Sequence, residues 1–384
     1  MLEFKRCSKG MWDSTVPGIE FDQKGISNYA KMFTQLCETY PRGEKGQKDW
    51  ESIVDKIKKD GEGKRYDCII GVSGGTDSSY LLHIAKNIYG LRPLAVNLDN
   101  GWSSDIAVKN IKKVTESLNI DLETYVIDYE EIKDLLRAYM FAGLPWIDLP
   151  TDLAIKSIMF RVSRKEGIKY ILRGNDFRSE GFQPQEWTYG DGKQLLHIHK
   201  LFGRTKLSTF PNYTIADVIT NAFISKIKSY FPFYYLDYSK QEAQKFLIDN
   251  FGWEYYGGHH HENLFTKFAI SYWLYEKFGI DKRIITLSAQ VMSGAIGYNE
   301  AVEALNKKPY NSSKLDEELN FVLKKLDISK EEFSKLMLSE NKSYIDYPSY
   351  SPLLEKFAKP SMWFLKKVYP YKPISFFQME MRGK

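Results

Sequence analysis

Six consecutive residues, Ser73-Gly74-Gly75-Thr76-Asp77-Ser78, have the make-up of an anion cradle. Two glycines let a backbone come close to a ligand, Ser73 and Ser78 offer hydroxyls, and Asp77 offers a carboxylate for Mg2+ or an orienting hydrogen bond. The string follows the apolar run Cys68-Ile69-Ile70-Gly71-Val72 and precedes Tyr80-Leu81-Leu82. A buried strand is therefore expected to turn directly into a helix whose first N–H groups face an anion. A Walker loop would end Gly-Lys-Ser/Thr and this one ends Thr-Asp-Ser, and the G-x-G-x-x-G dinucleotide fingerprint is absent.

Two further polar turns, Asn97 to Ser103 and Arg173 to Asp176, are expected to share a rim with the first, which places Gly174 in the ATP-binding set. Asp99 has the position of a ribose or adenine contact, and Asp176 that of a Mg2+ ligand beside Asp77; each alternatively caps the helix after it. Leu196 to Lys206 is basic and histidine-bearing, and Lys206 is the candidate catalytic cation for a pyrophosphate. Half of the six histidines fall in Tyr255-Tyr256-Gly257-Gly258-His259-His260-His261-Glu262, without the H-E-x-x-H spacing of a zinc site. His260 and Glu262 are read instead as polar contacts at a helix start. Asp281-Lys282-Arg283, taken alone, is an ordinary solvated helix start.

The elements that must position these groups alternate from residue 66 onward: strand 67–72, helix 77–89, strand 92–98, helix 103–118, strand 121–127, helices 129–140 and 151–166, strand 168–173. Such alternation predicts an α/β fold, a parallel sheet with helices on both faces. Before it, residues 1–60 form an N-terminal segment with two helical stretches. After a loop-rich stretch from Ser179 to Pro211 the pattern is helical at 214–230, 239–249, 262–278, 281–292, 298–306 and 313–337. The expected organisation is 1–60, a nucleotide-binding region 61–235 and a mainly helical C-terminal region 236–384 that contributes to the substrate site.

Length and composition restrict the function classes. At 384 residues and 43% apolar side chains the chain can bury a large core, and no run approaches the roughly 20 apolar residues of a membrane span. The start lacks the apolar core of a signal peptide, and Cys7, Cys37 and Cys68 make no disulfide framework, so a cytoplasmic location is expected. A net charge of +5 from well-mixed charges does not call for nucleic acid.

The S-G-G-x-D-S string resembles the PP-loop of the ATP pyrophosphatases, which split ATP into AMP and pyrophosphate. With the stretches G-N-D-F-R-S-E-G at 174–181, W-T-Y-G-D-G at 187–192, I-H-K-L-F-G at 198–203, K-L-S-T-F-P at 206–211, Y-G-G-H-H-H-E at 256–262 and F-G-I-D-K-R at 278–283, the chain resembles the N-acetyl sugar amidotransferases of the WbpG/PseA type, which serve surface-polysaccharide and flagellar sugar synthesis. The resemblance runs from about residue 5 to 306. It implies conversion of a sugar acetamido group to an acetamidino group with ATP, Mg2+ and ammonia, on a nucleotide-activated sugar. It also assigns Glu180, Trp187, His199, His260, Glu262, Lys282 and Arg283 to the sugar or its adenylylated form. No glutaminase nucleophile is encoded, and similar proteins work with a separate glutaminase and a cyclase-like, ammonia-channelling subunit, so both are expected as partners.

One departure stands out. Relatives begin with two C-x-x-C-like pairs, whereas the four matching places here are Phe4, Cys7, Ser27 and Ala30, so structural zinc is not expected. Apolar packing is expected to replace it, with Phe4 and Phe21 as core candidates. Two other functions use the same loop: a tRNA-modifying ATP pyrophosphatase, and a non-catalytic nucleotide-binding scaffold of a glycan-synthesis complex.

Overall fold

The computed structural model describes residues 4–258 and 261–357. Its centre is a parallel sheet of β1 (Cys68–Gly71), β2 (Pro93–Asp99), β3 (Leu122–Val126), β4 (Tyr170–Leu172) and β5 (Lys228–Tyr230), in spatial order β3-β2-β1-β4-β5. Ile69 pairs with Leu94 on one side and Ile171 on the other. Chain progress therefore reverses direction at β1, which makes the β1/β4 boundary a switch point where loops part and leave a crevice.

The expected alternation is present. Before the sheet come α1 (Asn28–Thr39) and α2 (Glu44–Asp60). Then α3 (Thr76–His83) links β1 to β2, α4 (Asp105–Ser117) links β2 to β3, and α5 (Tyr129–Phe141) with α6 (Leu149–Lys165) links β3 to β4. Between β4 and β5 lie α7 (Phe177–Glu180), α8 (Gln185–Thr188), α9 (Gly192–Phe202) and α10 (Ile215–Ile219). After the sheet come α11 (Lys240–Phe251), α12 (Leu264–Phe268), α13 (Arg283–Ser293), α14 (Tyr298–Leu305), α15 (Leu315–Lys325), α16 (Lys330–Leu338) and α17 (Ser351–Lys356).

Side chains alternate across the pleat and so build two cores. Ile69, Leu94, Val96 and Ile171 face one core with α5, α6, α9 and α12, while Cys68, Ile70, Ala95 and Leu172 face the other with α2, α3, α4 and α11. The first core continues through Phe265, Trp273, Val322 and Phe333, so the C-terminal helices pack on the sheet directly. A third cluster joins α1 to Phe177, Trp187 and Ile285.

Several local expectations need correction. The helix predicted over 214–230 stops near Ile224, and after Lys226 at φ +51° the chain enters β5, since Ile227 and Tyr230 are buried at the sheet edge. The helix predicted over 313–337 is two, because Asp327 turns at φ +53° and Ser329 restarts the chain with a capping box to Glu332. The stretch read as loop-rich holds α9, capped by Asp191. In the N-terminal segment Phe4 is 62% exposed rather than core, whereas Phe21 is half-buried and packs against the third cluster, with the Lys5 ammonium over its ring. Cys7, Ser27 and Ala30 are buried together: the Cys7 sulfur accepts the Ser27 N–H at 3.2 Å, and the Ser27 hydroxyl caps α1 by accepting the Ala30 N–H. One thiol among these four places does not fit tetrahedral zinc.

Candidate active site

The glycine turn after β1 is held from behind. Gly74 has φ +78°, and a Cβ there would stand 2.3 Å from the Ala107 carbonyl oxygen of α4, so that neither conformation nor space admits a side chain. Its own carbonyl accepts the Trp253 indole N–H at 3.0 Å. Gly75 stands at the start of α3 with no side-chain cap, and with Asp77 and Ser78 it brings that positive helix end to the cavity lining. Gly174, at the end of β4, packs against the backbone of Asp77, where a Cβ would come to 2.9 Å.

Above the turn is a cavity of about 630 Å³, a size suited to a small-molecule site. Ser73, Gly75, Asp77, Ser78, Gly174, Glu180, Glu262 and Lys282 all line it, so eight residues nominated from sequence converge. The Ser73 hydroxyl lies 3.4 Å from Glu262 Oε1, and Asn175 donates to Glu180 at 3.1 Å. Gly74 and Thr76 support the turn; Thr76 is fully buried, its hydroxyl accepting from Gln244.

The other nominated residues lie elsewhere. Asp176 is 2% exposed, pairs with Arg42 at 2.9 Å, caps α7 through the Arg178 N–H and does not line the cavity. Burial lifts its carboxyl above the ordinary range even against Arg42. Asp99 accepts the Gly101 N–H at 2.9 Å and faces a second cavity, of about 640 Å³, between β3 and α4. Trp187 is buried in the third cluster, and Arg283 is tied to Asp281 and to the carbonyls of Ala304 and Lys307. Lys206 is exposed on a loop outside the cavity. The carboxylates of Glu131 and Asp134 hold that loop by accepting the N–H groups of Arg204, Thr205, Ser208 and Thr209, and His199 braces it through the Thr205 carbonyl at 2.7 Å. His260 lies outside the described residues.

Sequence reasoning missed several lining groups. Lys240 on α11 pairs with Asp77 at 2.9 Å while the Tyr238 hydroxyl donates to the other Asp77 oxygen. Burial pulls the Lys240 ammonium down, but Asp77 and Glu180 outweigh it and leave it raised. Asp148, just before α6, and Asp152 and Lys156 within it follow one another at intervals of four and all line the cavity, a spacing that was visible in the sequence. Asp152 accepts the Trp146 indole N–H at 2.7 Å. Lys282 lies over the Trp146 ring at 4.7 Å; burial lowers its ammonium, opposed by Asp152, Glu180 and Asp148. Lys156, open to the cavity but walled by protein, is drawn down to about 8 by that desolvation and by Arg173.

Residues 262–361 match the family described as LPS biosynthesis protein WbpG-like, C-terminal domain. That stretch of the chain is similar to this WbpG-like domain. Its Glu262, Asn263, Thr266 and Lys282 face the same cavity as the glycine turn.

Beyond the WbpG-like domain, the chain is 33% identical over 158 residues to an uncharacterized protein of Methanocaldococcus jannaschii, covering 40% of this chain and 55% of that one. It is 26% identical over 157 residues to the glutamine-hydrolyzing GMP synthase of Chlamydia caviae, covering 39% and 28%. The chain thus spans about half, or less, of the length of these curated relatives. Among solved structures it is similar to NMN synthetase from Francisella tularensis (14% identity, TM-score 0.31, 72% and 92% covered). The NH3-dependent NAD synthetase of Campylobacter jejuni (16%, 0.26, 40% and 60%) and the U34-tRNA thiolase of Methanococcus maripaludis (14%, 0.30, 78% and 88%) are also similar.

Proposed function

We propose that the chain is an ATP-dependent amidotransferase that converts the acetamido group of a nucleotide-activated surface sugar to an acetamidino group. The observation that carries this reading is one juxtaposition: Glu262, the first residue of the WbpG-like domain, stands 3.4 Å from Ser73 of the phosphate turn. The domain and the ATP loop belong to one site.

The chemistry follows from the groups in place. An amide oxygen is a poor leaving group, so its attack on the α-phosphate of ATP turns it into the oxygen of AMP, which ammonia then displaces. The N–H groups at the start of α3, with Ser73 and Ser78, receive the departing pyrophosphate. Mg2+ would neutralise phosphate charge, and Asp77 and Glu262, the carboxylates that line the cavity beside the turn, would hold it rather than the buried, Arg42-paired Asp176. Lys240 and Tyr238 fix the Asp77 carboxylate at the helix start, and Lys282 offers a cation toward the substrate.

The ammonia is assigned to a separate glutaminase working through a cyclase-like subunit. The test is incubation of the purified chain with ATP, Mg2+, ammonium and a panel of nucleotide-activated N-acetyl sugars, read by mass spectrometry. Expected are AMP, pyrophosphate and a product lighter by about one mass unit, as an O-to-NH exchange requires, with glutamine unable to replace ammonium. Pyrophosphate release with tRNA but with no sugar would favour the tRNA-modifying alternative, and ATP binding without any release would favour the scaffold.

A further inference from the structure

Two cations on the cavity wall stand without a carboxylate of their own. Lys156, in the middle of α6, and Arg173, directly after β4, both line the cavity, and among the described residues neither side chain makes an ion pair or a hydrogen bond. The other two lining cations are engaged: Lys240 holds Asp77, and Lys282 lies over Trp146 within reach of Asp152, Glu180 and Asp148. An aromatic platform, not an acid, places the Lys156 ammonium. It lies 4.9 Å over the Tyr213 ring, which stacks on Phe160 at 5.6 Å and whose hydroxyl accepts from Asn221 at 3.3 Å. The Arg173 N–H donates to the Tyr230 carbonyl of β5 at 2.9 Å, so the sheet edge fixes its backbone. Like charges held together where protein walls strip away water are costly until an anion joins them. Burial and Arg173 both weaken the Lys156 charge against the pull of Asp152, and a bound oxyanion would offset both losses. The phosphate turn has separate donors, on β1 and α3. Arg173 precedes Gly174, which packs on the Asp77 backbone, so the pair borders the turn without belonging to it.

We propose that Lys156 and Arg173 form an oxyanion subsite for the acceptor, so that the sugar substrate is negatively charged on the side facing α6, through a phosphate of its nucleotide carrier or a carboxylate on its ring. The inference rests on the amidotransferase reading above. Either group offers the paired oxygens that a guanidinium fork grips, with the ammonium as a further donor. An uncharged acetamido sugar would leave the pair bare, so the same two residues select against it. They bind and orient the acceptor beside ATP, and no bond changes at them.

Crystals of the full chain are grown with Mg2+ and a non-hydrolysable ATP analogue and soaked in tungstate, whose tungsten scatters anomalously. A tungsten peak in contact with both Lys156 and Arg173 is expected, and it is expected to vanish in Lys156→Met. An empty pair, or a phosphate of the analogue lying on it, overturns the proposal whether or not a sugar substrate has been found. With a reactive sugar in hand, Lys156→Met and Arg173→Met are each expected to raise the KM for sugar about tenfold or more while the KM for ATP stays within about twofold, and Lys156→Arg is expected to retain most of the affinity. Equal losses toward ATP and sugar would make the pair structural. An uncharged acceptor used as well as an acidic one would also sink the inference, with the amidotransferase reading intact. Inhibition of the native chain, but not of the variants, by the free nucleoside phosphate assigns the charge to the carrier, and by the free sugar acid to the ring. If no sugar reacts while the tungsten peak is present, the amidotransferase reading fails and the anion subsite stands.

Discussion

At the scale of single residues, the buried Asp148 has a consequence for stability that is independent of catalysis. Its folded-state carboxyl sits near 7 against an ordinary value of 3.8, chiefly through burial. Between those values the folded chain keeps a proton that the unfolded chain has released, so stability is greatest below the window and falls as pH rises through it. Asparagine cannot ionise. We therefore expect Asp148→Asn to gain on the native protein by about 3 kcal/mol between about pH 4.5 and 7.5, measured by urea denaturation at both values. An equal difference at the two pH values would show that Asp148 titrates as an ordinary surface carboxyl.

At the scale of elements, the loop carrying Lys206 is the informative case. Its backbone is fastened by Glu131 and Asp134 on α5, both 4% exposed, and its lysine is exposed and does not line the cavity. Lys206→Ala is expected to leave ATP binding and pyrophosphate release within about twofold of the native values, since an exposed charge remote from the phosphates contributes little. Asp134→Ala should instead speed hydrogen exchange at the Arg204 and Thr205 amides, and unaltered exchange there would contradict the anchoring role. The basic, histidine-bearing sequence of this stretch looked like phosphate chemistry, but its histidine and its neighbours serve a loop. Legibility followed the range of the determining contacts. The turn from β1 into α3 could be read because a continuous apolar run, two glycines and a helix start are all local signals. Lys240 could not be read: nothing around it distinguishes it from other lysines until folding brings it to Asp77, 163 positions away. β5 is three residues long and is a strand only because β4 offers it an edge, whereas the break between α15 and α16 was written locally in the Ser329/Glu332 box and passed over.

At the scale of the whole molecule, the WbpG-like domain is continuous with the sheet's own core. Phe265, Phe268, Trp273 and Leu274 are buried in the cluster that also holds Ile69, Leu94 and Ile171. Cutting the chain after residue 261 would remove those four side chains from the cluster, a loss on the order of 10 kcal/mol that rivals the full stability of an ordinary domain. The shortened chain is expected to show no cooperative transition by calorimetry and to bind apolar dyes; a sharp, reversible melt would mean that the sheet is an independent unit. The cavity depends on the same continuity. Its walls come from residues 71–78, 96–103, 146–159 and 172–188 and from Lys240, Tyr256, Glu262, Asn263, Thr266 and Lys282, so the phosphate turn emerges from the ribosome about two hundred residues ahead of Lys282. During synthesis the turn proposed to grip ATP is present long before the wall that would direct it to a substrate, and the polypeptide must extend past Lys282 before the proposed nucleotide cleavage could be coupled to anything.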